Sequence, residues 1–265
     1  MLNQKGGVGK TSCTHHLAGT LSATGKRVLL VDNDPQSSLS QGFWGPAAVM
    51  DLDPSETVAA LYAGHRPFAV EVIRPTGIAG IDLLPGSRAA GLHNIPGPEW
   101  ADEGHQTCIR DFLADVSGDY DLVMIDCPPN LHLCSWAALV ASDFLVVPLQ
   151  PEDYGAQGII DVQRSVEMVR SDQNPGVTLL GYLLTMVARE SIHRVFEQQL
   201  RANFGEDVFA AVVPRSPAYK EAIAARRPIA QYRPKGAPAR AMRVVADEML
   251  ARADARGVVS LKEAV

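Results

Sequence analysis

Residues 4–12 of this 265-residue chain read QKGGVGKTS. Two lysines, three glycines and adjacent hydroxyls in nine residues equip a loop to hold a polyphosphate. Glycine lets backbone N–H groups turn inward around phosphate oxygens, and the helix that follows offers its N-terminus to the same anion. Against the pattern G-x-x-x-x-G-K-[ST], Gly9, Lys10 and Thr11 supply the end, while the leading glycine falls on Gln4. An extra lysine, Lys5, stands beside it. Lys5, Gly6, Gly7, Val8, Gly9, Lys10, Thr11 and Ser12 are the candidate nucleotide contacts. Lys10 is placed to reach the β- and γ-phosphates, and the Thr11 hydroxyl to ligate Mg²⁺, which prefers oxygen ligands and bound phosphate.

Two further segments carry carboxylates at the ends of apolar runs. RVLLVDNDPQ presents Asp32 and Asp34 just before Pro35, and LVMIDCPPNL presents Asp126 before Pro128 and Pro129. An acid at the end of a buried strand, in a chain that also has a phosphate loop, suits an Asp that holds Mg²⁺ through water. Asp126, Thr11 and Asp32 are therefore the candidate metal-site residues, with Asp32 supporting either the Mg²⁺ shell or the loop.

These residues need strands to hold them. Continuous apolar runs at 27–32, 81–86, 121–126, 143–149, 177–185 and 208–214 read as strands buried on both faces. Helical stretches lie between them, near 11–24, 105–117, 131–141, 156–172, 192–204 and 239–254. This alternation predicts an α/β fold with a mostly parallel, twisted central sheet between two helical layers, in a single domain over 1–265. The Gly- and Pro-rich stretch 85–98 reads as a long surface loop. The hydrophobic share of 46% supports an ordinary core, and no apolar run is long enough to span a membrane. Cys13, Cys108, Cys127 and Cys134 form no C-x-x-C pair, which gives a zinc site little support. The net charge of -6 hides an asymmetry: residues 189–256 hold 13 Lys/Arg against 8 Asp/Glu, leaving 11 against 22 elsewhere. A basic face in the C-terminal third follows.

KGGVGKT, with a lysine ahead of the paired glycines, resembles the deviant Walker A loop of the ParA/MinD family of P-loop ATPases. VDNDPQ resembles that family's V-D-x-D-P-Q, and DCPPNL its D-C-P-P-S-L with Asn130 in place of Ser. LLTMVARES, VVPRSPAYKEA and PIAQYRPKGAPARAMRVVADEML extend the likeness over nearly the whole chain, most closely to ParA proteins. The resemblance implies a P-loop NTPase that uses ATP and Mg²⁺. It implies that Lys5 crosses a dimer interface to the other subunit's nucleotide, that Asp34 positions or polarises the attacking water, and that Pro214 frames the adenine. Lys5, Lys10 and Asp34 become the catalytic candidates. It also implies an ATP-dependent homodimer, a ParB-like activating partner, and sequence-blind DNA binding in a cytoplasmic, nucleoid-associated protein. The DNA candidates are Arg189, Arg215, Lys220, Arg226, Arg227, Arg233, Lys235, Arg240 and Arg243. Ala218 stands where many chromosomal relatives carry a basic residue.

Two alternatives belong to different classes. A membrane-associated MinD-like ATPase needs a basic amphipathic C-terminal helix, and GVVSLKEAV offers Lys262 against Glu263. An iron–sulfur relative needs paired cluster cysteines, and Cys134 lacks a glycine-flanked companion. In this family's fold a central strand precedes the loop. Met1–Leu2–Asn3 is a stub of it, so either a start upstream of Met1 or a sheet that tolerates the stub is expected. Of His15 and His16, one is expected to face the core and the other solvent. Phe43 and Trp44 are expected in a loop.

Overall fold

The computed structural model describes residues 1–151 and 156–257. The strands are β1 (Val28–Asp32), β2 (Arg74–Pro75), β3 (Ile81–Leu84), β4 (Leu122–Asp126), β5 (Phe144–Leu149) and β6 (Thr178–Leu184). The first helices are α1 (Lys10–Ser22), α2 (Ser38–Trp44), α3 (Pro46–Met50), α4 (Val58–Tyr62), α5 (Ala69–Val72) and α6 (Glu103–Val116). They are followed by α7 (Leu133–Val140), α8 (Ala156–Asp172), α9 (Ser191–Phe204), α10 (Pro217–Ala224), α11 (Ile229–Tyr232) and α12 (Ala237–Ala255). The tail that carries Lys262 and Glu263 lies outside the described residues.

β1 is VLLVD with every residue buried, because helices cover both of its faces. It pairs in parallel with β3 on one side and β4 on the other. β2 adds a short antiparallel edge to β3, and β5 pairs in parallel with β6. Met1–Asn3 fills the space between the two ladders. The Met1 ammonium donates to the Ile125 carbonyl at 2.8 Å, Leu2 N to Val146 O at 3.2 Å, and the Asn3 side chain to Pro148 O at 2.7 Å. Three residues thus link β4 to β5 at the point where the phosphate loop begins.

Alternation along the strands feeds two separate cores. Leu29, Val31, Ile125 and Val147 pack with α4, α6 and α7, while Leu30, Met124 and Val146 pack with α1, α2 and α10–α12. The three-layer α/β/α arrangement follows from burying both faces of the four-stranded β2-β3-β1-β4 ladder and of the two-stranded β5-β6 ladder beside it.

α1 departs from expectation. Both His15 and His16 are buried, because α2 closes one side of α1 and α10–α12 close another. Ile229 N donates to His16 Nδ1 at 3.0 Å, and His16 Nε2 lies 3.2 Å from the Tyr219 carbonyl. His15 packs on Phe43, with ring centroids 4.3 Å apart. Phe43 and Trp44 therefore belong to α2 and not to a loop. At Gly19 a side chain would overlap the Pro228 ring, so glycine lets α11 lie directly on α1.

The run 208–214 is not a strand. It follows β6 through Phe209 N–Tyr182 O at 2.9 Å and Val213 N–Leu184 O at 2.8 Å, but pairs only at isolated bridges. Its outer side is held by Glu248, which accepts from Ala210 N and Ala211 N at 2.8 and 2.7 Å. Side-chain capture of these N–H groups replaces a regular ladder. Stretch 85–98 is a loop with short 3-10 turns at Arg88–Leu92 and at its end.

Candidate active site: the phosphate loop and three carboxylates

The loop leaves the Met1–Asn3 stub and enters α1 at Gly9. Gly7 and Gly9 have φ of 78° and 89°, conformations that a side chain rarely tolerates. No side chain caps α1, so its first N–H groups are left for an anion. Lys10 is buried, and its Nζ donates to the carbonyls of Asn3 and Lys5 at 3.0 Å each. Burial pushes its pKa down, against the raising pull of Asp126, Cys127 and Asp34. Lys5 is exposed at the rim, its backbone N–H held by Asn3 Oδ1 at 2.8 Å. The far side of the loop rests on Thr185 at the end of β6, whose hydroxyl donates to Val8 O at 2.8 Å.

Asp32 and Asp126 are direct register partners at the carboxyl ends of β1 and β4. Both are fully buried, yet they are held differently. One oxygen of Asp32 accepts from Ser40 N at 2.8 Å and Ser40 Oγ at 2.6 Å, fixing it to α2, while the other has no partner. Burial, then the charge of Asp126, raises the Asp32 pKa to about 8. Asp126 has neither oxygen in a hydrogen bond. The Thr11 side chain lies beside it and eases its charge. Burial is the main cause that lifts its pKa to about 6. A buried carboxylate with both oxygens unsatisfied is costly unless a cation completes it. Asp126 and the Thr11 hydroxyl therefore fit Mg²⁺ as oxygen donors, and Asp32 retains one oxygen for the same purpose. Asp34 follows at the strand end, 8% exposed, with Oδ1 accepting from Gln36 N at 2.9 Å.

A pH dependence follows. A carboxyl protonated in the folded state and ionised in the unfolded one stabilises fully below pH 3.8 and loses that contribution as pH rises through its folded pKa. In the nucleotide-free protein Asp32 is expected to remove roughly 2 kcal/mol of stability between pH 6.5 and 8, at about 1.4 kcal/mol per unit. Below pH 6.5 the trend is offset, because His15 and His16, lowered to about 3 and about 4 by burial, stay neutral while their unfolded counterparts take up protons. Urea unfolding of the parent and Asp32→Asn at pH 6.5 and 8 checks this; equal slopes for the two would refute it.

The remaining candidates gather in separate places. Pro214 pairs with Val187 just beyond β6, on the same end of the sheet as Thr185. Arg189 and Arg215 are exposed near it, Arg215 N bonding Val187 O at 2.9 Å and its side chain meeting Glu190 at 3.7 Å. Lys235, Arg240 and Arg243 cluster at the start of α12, where Arg240 donates to Lys235 O at 2.6 Å and Arg243 to Pro234 O at 3.2 Å. Arg233 pairs with Glu221 at 2.9 Å, and Arg226 donates to Gln41 O at 2.7 Å; Lys220 and Arg227 are exposed nearby. Ala218 is buried in α10 and offers nothing to solvent.

Cys134, Cys127 and Cys108 have their thiols pushed up by burial to about 12, 11 and 12. Cys134 is fully buried in the core, which does not suit a cluster shared across a surface. Ser40, Thr185, Asn3 and Asn33 were invisible as site residues in sequence. Their partners lie far away in the chain, so no local pattern marks them.

A parallel sheet with this loop at its centre and acids at adjacent strand ends defines the class: a P-loop nucleotide-binding ATPase. A family profile described as "AAA domain" matches residues 1–179. Chromosome-partitioning ATPase Soj from Thermus thermophilus is 38% identical over 255 residues, covering 95% of this chain and 94% of that one. Chromosome partitioning protein ParA from Caulobacter vibrioides is 34% identical, covering 94% and 92%. Cobyrinic acid a,c-diamide synthase from Mycobacterium smegmatis, solved with bound ADP and magnesium, superposes with a TM-score of 0.77 at 28% identity, covering 96% and 93%. The chain belongs to the ParA/Soj family of P-loop ATPases.

Proposed function

We propose that this ATPase is a nucleotide-gated partitioning switch. It binds ATP with Mg²⁺, pairs with a second copy, coats DNA without sequence preference and is released when a ParB-like partner stimulates hydrolysis. It would work in the cytoplasm on the nucleoid, moving a chromosome, plasmid or other cargo. The observation that carries this reading is the convergence of Lys10, Asp126 and Asp34 on the phosphate loop. Lys10 would bind the β- and γ-phosphates, Thr11 and Asp126 would hold Mg²⁺, and Asp34 would orient water. Mg²⁺ supplies charge that offsets the developing phosphate charge. Lys5, at the exposed rim, would reach a nucleotide held by a second copy. The relatives' names, which speak of chromosome partitioning, support the cargo class.

For DNA, the exposed Lys235 and Arg240, with the half-buried Arg243 beside them, support phosphate contacts. If about five phosphates are neutralised, affinity should fall roughly 500-fold between 50 and 200 mM salt. Fluorescence anisotropy of a labelled duplex with ATP or ADP, alongside sedimentation to read the dimer, tests the whole reading. Binding that ignores salt, or that is equal with ADP, would overturn it. Among the described residues no helix is long and apolar enough to cross a membrane.

A further inference from the structure

We infer that Asn33 is a positioning residue for ATP hydrolysis, tying the loop that carries Asp34 to the first turn of α7. This rests on the reading of Asp34 as the water-orienting acid.

Asn33 lies between the two aspartates, and the alternation of β1 sends its side chain to the other face of the sheet. Asp32 reaches Ser40 of α2, whereas Asn33 reaches α4 and α7. Its side chain is fully buried and both ends are used: Nδ2 donates to the Cys134 carbonyl at 2.6 Å, and Oδ1 accepts from Tyr62 Oη at 2.9 Å. Its backbone N–H donates to Asp126 O at 2.9 Å. One residue thus holds the Asp126 strand end, the α7 entry and the Asp34 loop together.

A second asparagine pins the same turn from the opposite side. Asn94 Oδ1 accepts from Cys134 N at 3.0 Å, Asn94 Nδ2 lies 3.4 Å from Asn130 Oδ1, and Ile95 O accepts from Leu133 N at 3.1 Å. Asn130 itself accepts from His132 N at 3.2 Å, and its carbonyl receives the Ser135 hydroxyl at 2.6 Å. The segment after Asp126 is therefore fixed by side chains and not by a continuous ladder.

Chemistry favours positioning over packing for Asn33. Its two partners, Tyr62 and Cys134, belong to the same apolar core as Val31, Ile125 and Leu133. A buried amide is costly there unless every bond is made, and once made the bonds select one arrangement. Shifting α7 by a fraction of an ångström must then pull on residue 33, and through it on Asp34 one residue away. Catalysis that depends on orienting water is sensitive to displacements of that size.

The test is steady-state hydrolysis with Mg²⁺-ATP for Asn33→Leu and Tyr62→Phe, with ATP affinity measured separately. Asn33→Leu is expected to lower kcat roughly tenfold or more while the ATP dissociation constant stays within about threefold. Tyr62→Phe should act in the same direction, by less. Hydrogen exchange over residues 130–140 gives a readout that simple packing would not move. The parent should change protection there when ATP replaces ADP, and Asn33→Leu should lose that response. A folded Asn33→Leu that turns over at the parent rate overturns the inference, as does loss of ATP binding in step with melting temperature. Asp34→Ala is run alongside. If it is inactive while Asn33→Leu is unaffected, only the coupling fails; if it hydrolyses ATP normally, the reading of Asp34 fails first.

Discussion

Lys10→Ala is expected to weaken ATP binding roughly 10²- to 10⁴-fold, the worth of about two charge-assisted hydrogen bonds to phosphate. The structure explains why no neighbour compensates. Lys10 Nζ is held inside the loop by the Asn3 and Lys5 carbonyls, facing the negative field of Asp126 and Asp34. Removing it leaves that field unbalanced where a triphosphate must enter. It also frees two loop carbonyls, so a modest loss of stability should accompany the change. Calorimetric titration with Mg²⁺-ATP, paired with a melting curve, separates the two effects. Affinity within a few-fold of the parent in a folded variant would show that Lys10 does not touch phosphate.

Asp34→Ala is expected to leave ATP binding near the parent level and lower kcat roughly 10²- to 10⁴-fold, the usual worth of a group that orients or deprotonates the nucleophile. Asp34 is buried, and among the described residues its side chain makes a single local bond, to Gln36 N, so its removal disturbs little of the fold. The ATP-bound state should accumulate, and with it whatever dimer and DNA complex that state forms. Phosphate release under single-turnover conditions checks the chemical step; a rate equal to the parent would remove Asp34 from the mechanism.

Much of this architecture was legible because its strands are buried on both faces. VLLVD, IDLL, LVMID, FLVVPL and TLLGYLL leave no alternation to misread, and the long helices between them follow. The short helices α2–α5 were not legible. Each has seven residues or fewer, a length at which intrinsic propensity is weak and tertiary packing decides. β2, two residues with a proline, exists only because β3 is beside it. The burial of His16 depended on Tyr219 and Ile229, more than 200 residues away in the chain, and that of His15 on Phe43 of α2.

The sequence by itself determined the chemistry available at the loop: glycines where φ must be positive, a lysine and a hydroxyl at the helix start, and acids at strand ends. Those are local properties, set by backbone sterics and residue type. Tertiary structure alone decided how the acids divide their work. The parallel register of β1 on β4 sets Asp32 against Asp126, and α2 then supplies Ser40 to one of them only. Asp32 is thereby anchored, Asp126 is left with two oxygens that have no partner among the described residues, and Asn33 is turned through the sheet to grip α7. Each outcome depends on groups distant in sequence, so no reading of the motif alone could assign it.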